Sequence, residues 1–171
     1  MFDGFAGIAY HGAMPSYTIL PVRSAADLEA TKALFNAYAA SLGVNLTYQK
    51  FAEEMAAMPG KYAPPKGELL LARGLDGAAL GCVGLRPLED AGTCEMKRLY
   101  VTPEGRGLGL GKALAERVVD EARRIGYRRM LLDTLPSLTT AVGLYGRMGF
   151  APISAYYDTP IPGTIFMALS L

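Results

Sequence analysis

From Thr93 to Ile125 the chain reads as an apolar strand, a turn carrying Gly107, Gly109 and Gly111, and a long amphipathic helix. No other segment restricts the fold as much. A strand that leads into a helix needs a second strand for the helix to return to, so this stretch implies a β-α-β unit with a parallel strand pair. The turn is also built to hold an anion. The first four N–H groups of a helix have no partner inside it, and the helix dipole places partial positive charge there. Glycine omits the Cβ that would keep a phosphate away from the backbone. Arg106 and Lys112 bracket the turn with full positive charges.

Two common phosphate motifs do not match. A P-loop requires Gly-Lys followed by Ser or Thr, but Gly111-Lys112 is followed by Ala113, and Arg106 stands at the first glycine position. A dinucleotide fingerprint requires G-x-G-x-x-G, and Gly107, Gly109 and Gly111 fall at G-x-G-x-G. What remains, Arg106-Gly107-Leu108-Gly109-Leu110-Gly111 between a strand and a helix, resembles the pyrophosphate loop of the GCN5-related N-acetyltransferases (GNAT). In that family the loop binds the diphosphate of acetyl-CoA. The resemblance implies cofactor contacts from Arg106, Gly107, Leu108, Gly109, Leu110, Gly111 and Lys112.

The rest of the chain has the matching element order. Strand and helix periodicities predict a strand over 17–22, helices over 25–42 and 48–58, and strands over 68–73, 78–87 and 93–101. The helix over 110–125 presents Leu110, Leu114, Val118, Ala122 and Ile125 on one face, with Gly126 as its terminator. A strand over 129–135, a helix over 139–148 and strands over 153–157 and 164–169 complete the chain. The expected architecture is α/β, a GNAT-like mixed sheet of about seven strands flanked by about four helices. Residues 17–171 read as one N-acetyltransferase domain, and 1–16 as an N-terminal extension of uncertain order that includes His11, the one histidine.

Composition excludes several classes. The 171 residues are 51% hydrophobic and 19% charged with net charge +1, which speaks against a dedicated nucleic-acid binder. Between Lys97 and Arg129 nine basic residues face four acidic ones, an excess that suits a polyanionic small molecule or a solvated helix face. One histidine and two separated cysteines supply too few soft ligands for zinc. A hairpin about Asp90-Ala91 places Cys94 near Pro87, away from Cys82, so no disulfide is expected and the cytoplasm is the default compartment. No apolar run has the length of a membrane span, and no basic residue precedes Arg23 as a secretory signal would need.

The resemblance also implies roles. In the family, the strand equivalent to 95–101 parts from the next one, and its freed backbone groups pair with pantetheine. Leu99, Tyr100 and Val101 occupy that position, and the Leu99 N–H is the expected oxyanion donor. Leu144-Tyr145-Gly146-Arg147-Met148-Gly149-Phe150 resembles the family's closing helix, whose tyrosine protonates the departing thiolate. Tyr145 is therefore the candidate general acid, against a simple packing role. Where many members carry an asparagine, this chain has Leu138, with Ser137, Thr139 or Thr140 as substitutes. Glu95 is the candidate general base, against a carboxylate neutralised by Lys97, with Tyr100 and Asp133 as alternatives.

The expected reaction moves an acetyl group from acetyl-CoA, a co-substrate, to a primary amine of a small molecule, amino acid or protein, by direct attack in a ternary complex and without metal. Tyr38, Tyr48, Tyr62, Arg86, Tyr156 and Tyr157 are candidate acceptor contacts, with Arg86 either meeting a substrate carboxylate or solvated. Residues 158–163 are a candidate lid. Neither nucleic acid nor membrane is expected as a partner, and a homodimer is compatible with the sequence. The competing readings are an acyl-CoA sensor without turnover and a nucleic-acid module using the helix 109–125.

Overall fold

The computed structural model describes residues 16–171; the expected extension, His11 included, lies outside the described residues apart from Ser16. The elements are β1 (Tyr17–Pro21), α1 (Ala25–Ser41), α2 (Phe51–Ala57), β2 (Glu68–Gly74), β3 (Ala79–Pro87), β4 (Thr93–Val101), α3 (Leu110–Ile125), β5 (Arg129–Thr134), α4 (Thr139–Arg147), β6 (Ala151–Ile153) and β7 (Ile165–Ser170). Seven strands form one sheet in the order β1-β2-β3-β4-β5-β7-β6. β4 and β5 run parallel across the α3 crossover, and every other neighbouring pair is antiparallel. The mixed α/β architecture is the expected one.

Local chemistry explains the boundaries. Ser24 caps α1, its Oγ accepting from the Asp27 N–H at 3.1 Å. Gly126 takes φ +104° after α3 and donates to the carbonyls of Ala122 and Arg123. The β3–β4 hairpin pairs Pro87 with Cys94 and Cys82 with Tyr100, and both thiols are free.

Alternation along the strands builds two different faces. Leu114, Val118 and Ala122 of α3 lie fully buried with Leu70, Val83, Leu85, Met96, Met130 and Leu132. Burying each of these side chains larger than alanine contributes about 1.5–3 kcal/mol. On the other face, Leu34 and Phe35 of α1 pack with Leu69, Leu71, Cys82 and Tyr62.

Two expected elements take another form. The helix expected over 48–58 is broken. Thr47–Gln49 make a 3-10 turn, Lys50 sits at φ +55°, and only then does α2 begin. The Asn45 side chain accepts from the Thr47 N–H at 2.8 Å and bends the chain into that turn. The strand expected over 153–157 forms earlier, at β6, because Phe150 anchors the chain in the core and Ile153 pairs with Phe166. Tyr156 and Tyr157 then leave the sheet and turn toward charged groups on it.

Candidate active site

β4 and β5 pair only at Thr93–Arg129, Cys94–Met130 and Glu95–Leu131. Beyond these pairs the strands part. Met96 to Leu99 and Leu132 to Leu135 then line a narrow slot of about 50 Å³, together with Tyr38, Leu138 and Tyr145. The parting coincides with a bulge. Gly84 pairs with Lys97, yet Cys82 pairs with Tyr100, so β4 carries one extra residue. Arg98 absorbs it at φ +59°, an uncommon conformation for a residue with a Cβ.

The Arg98 side chain explains how that conformation is held. Its Nε and Nη2 donate to Glu54 Oε2 at 3.2 and 2.8 Å, and Nη1 donates to Gln49 Oε1 at 2.9 Å. The guanidinium lies over the Phe51 ring, 5.0 Å from its centroid. α2 has no buried residue of its own, so this cluster ties it to the sheet together with the partly buried Phe51 and Met55. Lys50 and Arg98 are the non-glycine residues at positive φ among the described residues. The neighbours of the first, Gln49 and Phe51, hold the second.

β4 leads into the glycine loop. Thr102 Oγ1 accepts from the Gly105 N–H at 3.2 Å and shapes the turn. Gly107 and Gly109 take φ +80° and +71°, and no protein atom lies within 4 Å of where their Cβ atoms would stand. Leu110 is buried and pins the start of α3, whereas Arg106, Leu108 and Lys112 are exposed around it. The N-terminal amides of α3 thus open onto free space beside two cations.

On the α1 and α2 side of the sheet lies a second, wider cavity, a cleft of about 770 Å³. Its lining includes Tyr48, Arg86, Glu95, Lys97, Tyr156 and Tyr157. Tyr48, Gln49 and Lys97 line both the slot and the cleft, so the two spaces meet there.

A glycine loop open at a helix start, preceded by a parted strand pair, is the arrangement expected of the acetyltransferases. Residues 32–150 match the model of the acetyltransferase (GNAT) family. The chain belongs to this family. An uncharacterized N-acetyltransferase of Schizosaccharomyces pombe is 43% identical over 90% of this chain and 94% of its own length. An acetyltransferase structure from Streptococcus agalactiae shares the fold with a TM-score of 0.74 at 22% identity, covering 92% of this chain and all of that one. A Salmonella typhimurium structure solved with its cofactor acetyl-CoA superimposes with a TM-score of 0.64 at 24% identity, covering 91% and 94%.

The protein is thus an acetyl-CoA-dependent acetyltransferase, and its residues fit that co-substrate. The loop offers open glycine backbone and cations for a diphosphate, and the slot offers unpaired strand edges for a slender amide-bearing arm. Leu99 has no ladder partner in β3 or β5. Tyr145 lines the slot and packs edge-on against Phe150 at 5.7 Å. Burial, with smaller effects of Tyr38 and Asp133, pushes its phenol above the ordinary tyrosine value, so it stays protonated. Leu138 begins α4 without a side-chain cap and forms an apolar wall of the slot. Ser137, Thr139 and Thr140 are exposed beside it.

Glu95 is buried on the cleft floor. Arg86 Nε and Nη2 donate to its Oε1 at 2.8 and 2.7 Å, and the Tyr156 hydroxyl donates to Oε2 at 2.5 Å. Arg86 is therefore the partner of Glu95, because the hairpin register sets the two side by side, and its side chain stays partly exposed. Lys97 reaches the other way, to Asp133 Oδ1 at 3.3 Å and Gln49 Oε1 at 3.4 Å. Asp133 also accepts from Tyr157 at 2.9 Å and from Gln49 Nε2 at 3.3 Å. Burial alone would raise the Asp133 pKa, but the Lys97 charge and the Tyr157 hydrogen bond outweigh it and lower the pKa overall.

The remaining expected contacts divide. Tyr48, Arg86, Tyr156 and Tyr157 line the cleft, while Tyr38 lines the slot with its pKa pushed up to about 12 by burial. Tyr62 lines neither; it is buried under α1 and α2 and donates to Glu54. Tyr100 points to the α1 side, edge-on to Tyr38 at 6.2 Å. The basic excess also divides. Lys97 and Arg98 are buried on the α1 face, and Arg117, Arg123 and Arg124 pair with acids of their own helix. Sequence reasoning missed Gln49, Glu54 and the role of Arg98. The available signal was the doublet Lys97-Arg98, two successive charges in a buried strand. Strict alternation would drive one of them into the apolar core, so the doublet required a bulge.

Proposed function

We propose that this acetyltransferase acetylates a primary amine by direct attack within a ternary complex. The observation that carries the reading is the meeting of slot and cleft at Tyr48, Gln49 and Lys97. A thioester held in the slot and an amine held in the cleft would approach each other there. Acetyl-CoA supplies the activated acetyl group. The residues of the chain orient the partners and manage charge and protons. The Leu99 N–H, at the β4 bulge where the register has no partner for this residue, is the proposed donor to charge developing on the acetyl oxygen, a contribution of roughly 3 kcal/mol in comparable sites. Tyr145 is the proposed proton donor to the leaving thiolate. Glu95 is the proposed base, and its access to the cleft runs through Tyr156. A proton leaving the amine would pass to the Tyr156 oxygen as the Tyr156 proton moves to Glu95.

Tyr145→Phe tests the assignment. It keeps the ring and its packing on Phe150 and removes only the hydroxyl. The expected result is a fall in kcat of about 10²-fold with acetyl-CoA affinity unchanged by calorimetry. The loss should shrink for acyl donors with more acidic thiols, which need a proton less. An equal loss with every donor would make Tyr145 a positioning residue. Acetyl-CoA binding with no turnover on any amine would favour the sensor reading.

A further inference from the structure

The charges of the cleft are unevenly committed. The buried carboxylates of the cleft and of the adjoining slot already have partners: Glu95 in the cleft holds Arg86 and Tyr156, and Asp133 in the slot holds Lys97, Tyr157 and Gln49. Each therefore faces a cation and a tyrosine, and neither has unmatched charge with which to bind a further ammonium group. Around the cleft, Lys50, Lys61 and Arg129 are exposed and make no ion pair among the described residues. The two acids at the mouth are Glu89 and Asp90; Asp90 accepts from the Thr93 hydroxyl at 2.7 Å and keeps its charge. With Arg86 matched by Glu95 and Lys97 by Asp133, three cations of the lining, Lys50, Lys61 and Arg129, stand against two acids, Glu89 and Asp90. A concave surface with such an imbalance concentrates anions.

The arrangement has a direction. Arg129 and Asp133 lie on the same face of β5, four residues apart, or about 13 Å along the strand. The amine end of an acceptor would sit by Asp133 and Lys97, where slot and cleft meet. The far end would lie toward Arg129, with the rings of Tyr48, Tyr156 and Tyr157 along its body. Lys97 and Arg98 at the amine end are matched by Asp133 and Glu54, so this end offers no surplus negative charge to hold an ammonium in its charged form. An α-amine, with an ordinary pKa of about 8, is more easily neutralised than a lysine-type amine at about 10.4.

Resting on the amine-acetyltransferase reading above, we propose that the acceptor carries a carboxylate at the end remote from its reacting amine, in the manner of a short peptide, and is not a polycation. Lys61 and Arg129 are the side chains assigned to that carboxylate.

The test compares dipeptides that end in a free carboxylate with the same dipeptides as C-terminal amides, and both with spermidine, using the full chain and following thiol release from acetyl-CoA. The expected kcat/KM for the acids exceeds that for the amides by about tenfold or more, with spermidine at or below the amides. The ratio should shrink between about 50 mM and about 500 mM salt, as screening requires. It should also approach one in a Lys61→Glu, Arg129→Glu double variant that retains its circular dichroism. Amides or spermidine turned over as well as the acids would overturn the acceptor class and leave the acetyltransferase reading intact. An undiminished ratio in the folded double variant would overturn the assignment of Lys61 and Arg129. If acetyl-CoA binds and no amine of any charge is turned over, the underlying reading fails and this inference with it.

Discussion

The two faces of β4 are made from alternate residues of one strand, yet they are held together in different ways. Cys94 and Met96 face α3, where the neighbours are Leu85, Leu114, Val118, Met130 and Leu132. Glu95, Lys97 and Arg98 face α1 and α2, where the neighbours are Arg86, Asp133, Glu54 and Gln49. The first face gains from area removed from water, and it needs only shape and volume. The second buries charge, which is tolerated only while every ion keeps its partner. Among the described residues no buried side-chain nitrogen or oxygen lacks one. The apolar face fixes the parallel β4–β5 pairing and the glycine loop above it. The charged face holds the bulge and lines the cleft.

The largest effect should come from breaking the charged face at one end. Glu54→Ala leaves Arg98, with its side chain 3% exposed, buried without its carboxylate, at an expected cost of about 3–5 kcal/mol in urea unfolding. A Glu54→Leu, Arg98→Met double variant removes both charges and should recover most of that stability. Its kcat should fall below wild type, because Gln49, which lines both slot and cleft, loses the closer of its two donors, Arg98 at 2.9 Å, and keeps only Lys97 at 3.4 Å. Recovery of kcat along with stability would reduce the pair to packing.

The apolar face should respond in the opposite sense. Leu114→Ala opens a cavity under the sheet and should cost about 2–5 kcal/mol. Assayed below its lowered melting temperature, it should keep kcat/KM near wild type, since the residue touches neither cavity.

A smaller effect concerns acid. The Asp133 pKa is lowered in the folded state by Lys97 and Tyr157 against the opposing effect of burial. Its contribution to stability is therefore present above the unfolded value of about 3.9 and lost as pH falls through the lower folded value. Urea midpoints of wild type and Asp133→Asn should differ at pH 6 and converge below pH 4. A gap that persists undiminished in strong acid would show that the charge of Asp133 is not what the fold uses.

The smallest change in stability is expected at the loop. Lys112 pairs with Glu116 at 3.7 Å with both side chains exposed, so Lys112→Ala should alter stability by less than about 0.5 kcal/mol. It should nevertheless weaken acetyl-CoA binding measurably at low salt, and less at high salt. Unchanged affinity at both would remove Lys112 from the diphosphate site.

What the amino-acid order determines by itself is the part governed by local rules. The apolar face of α3, the end of that helix at Gly126, the glycine loop between strand and helix, and the offset of Cys82 from Cys94 all depend on residues a few positions apart. Periodicity, capping and turn chemistry act at that range, so they can be read directly. The tertiary structure decided which charges meet. Arg98 finds Glu54 and Gln49 across 44 and 49 residues, and Tyr156 finds Glu95 across 61. Those meetings depend on a one-residue bulge, on the break at Lys50 and on a strand that ended early enough to free two tyrosines. A shift of one residue in any of them would turn the same side chains elsewhere, because successive strand residues point to opposite faces. No local pattern encodes such a choice; it is made by the energetic penalty on leaving a buried ion unpaired, which acts only once the chain is assembled.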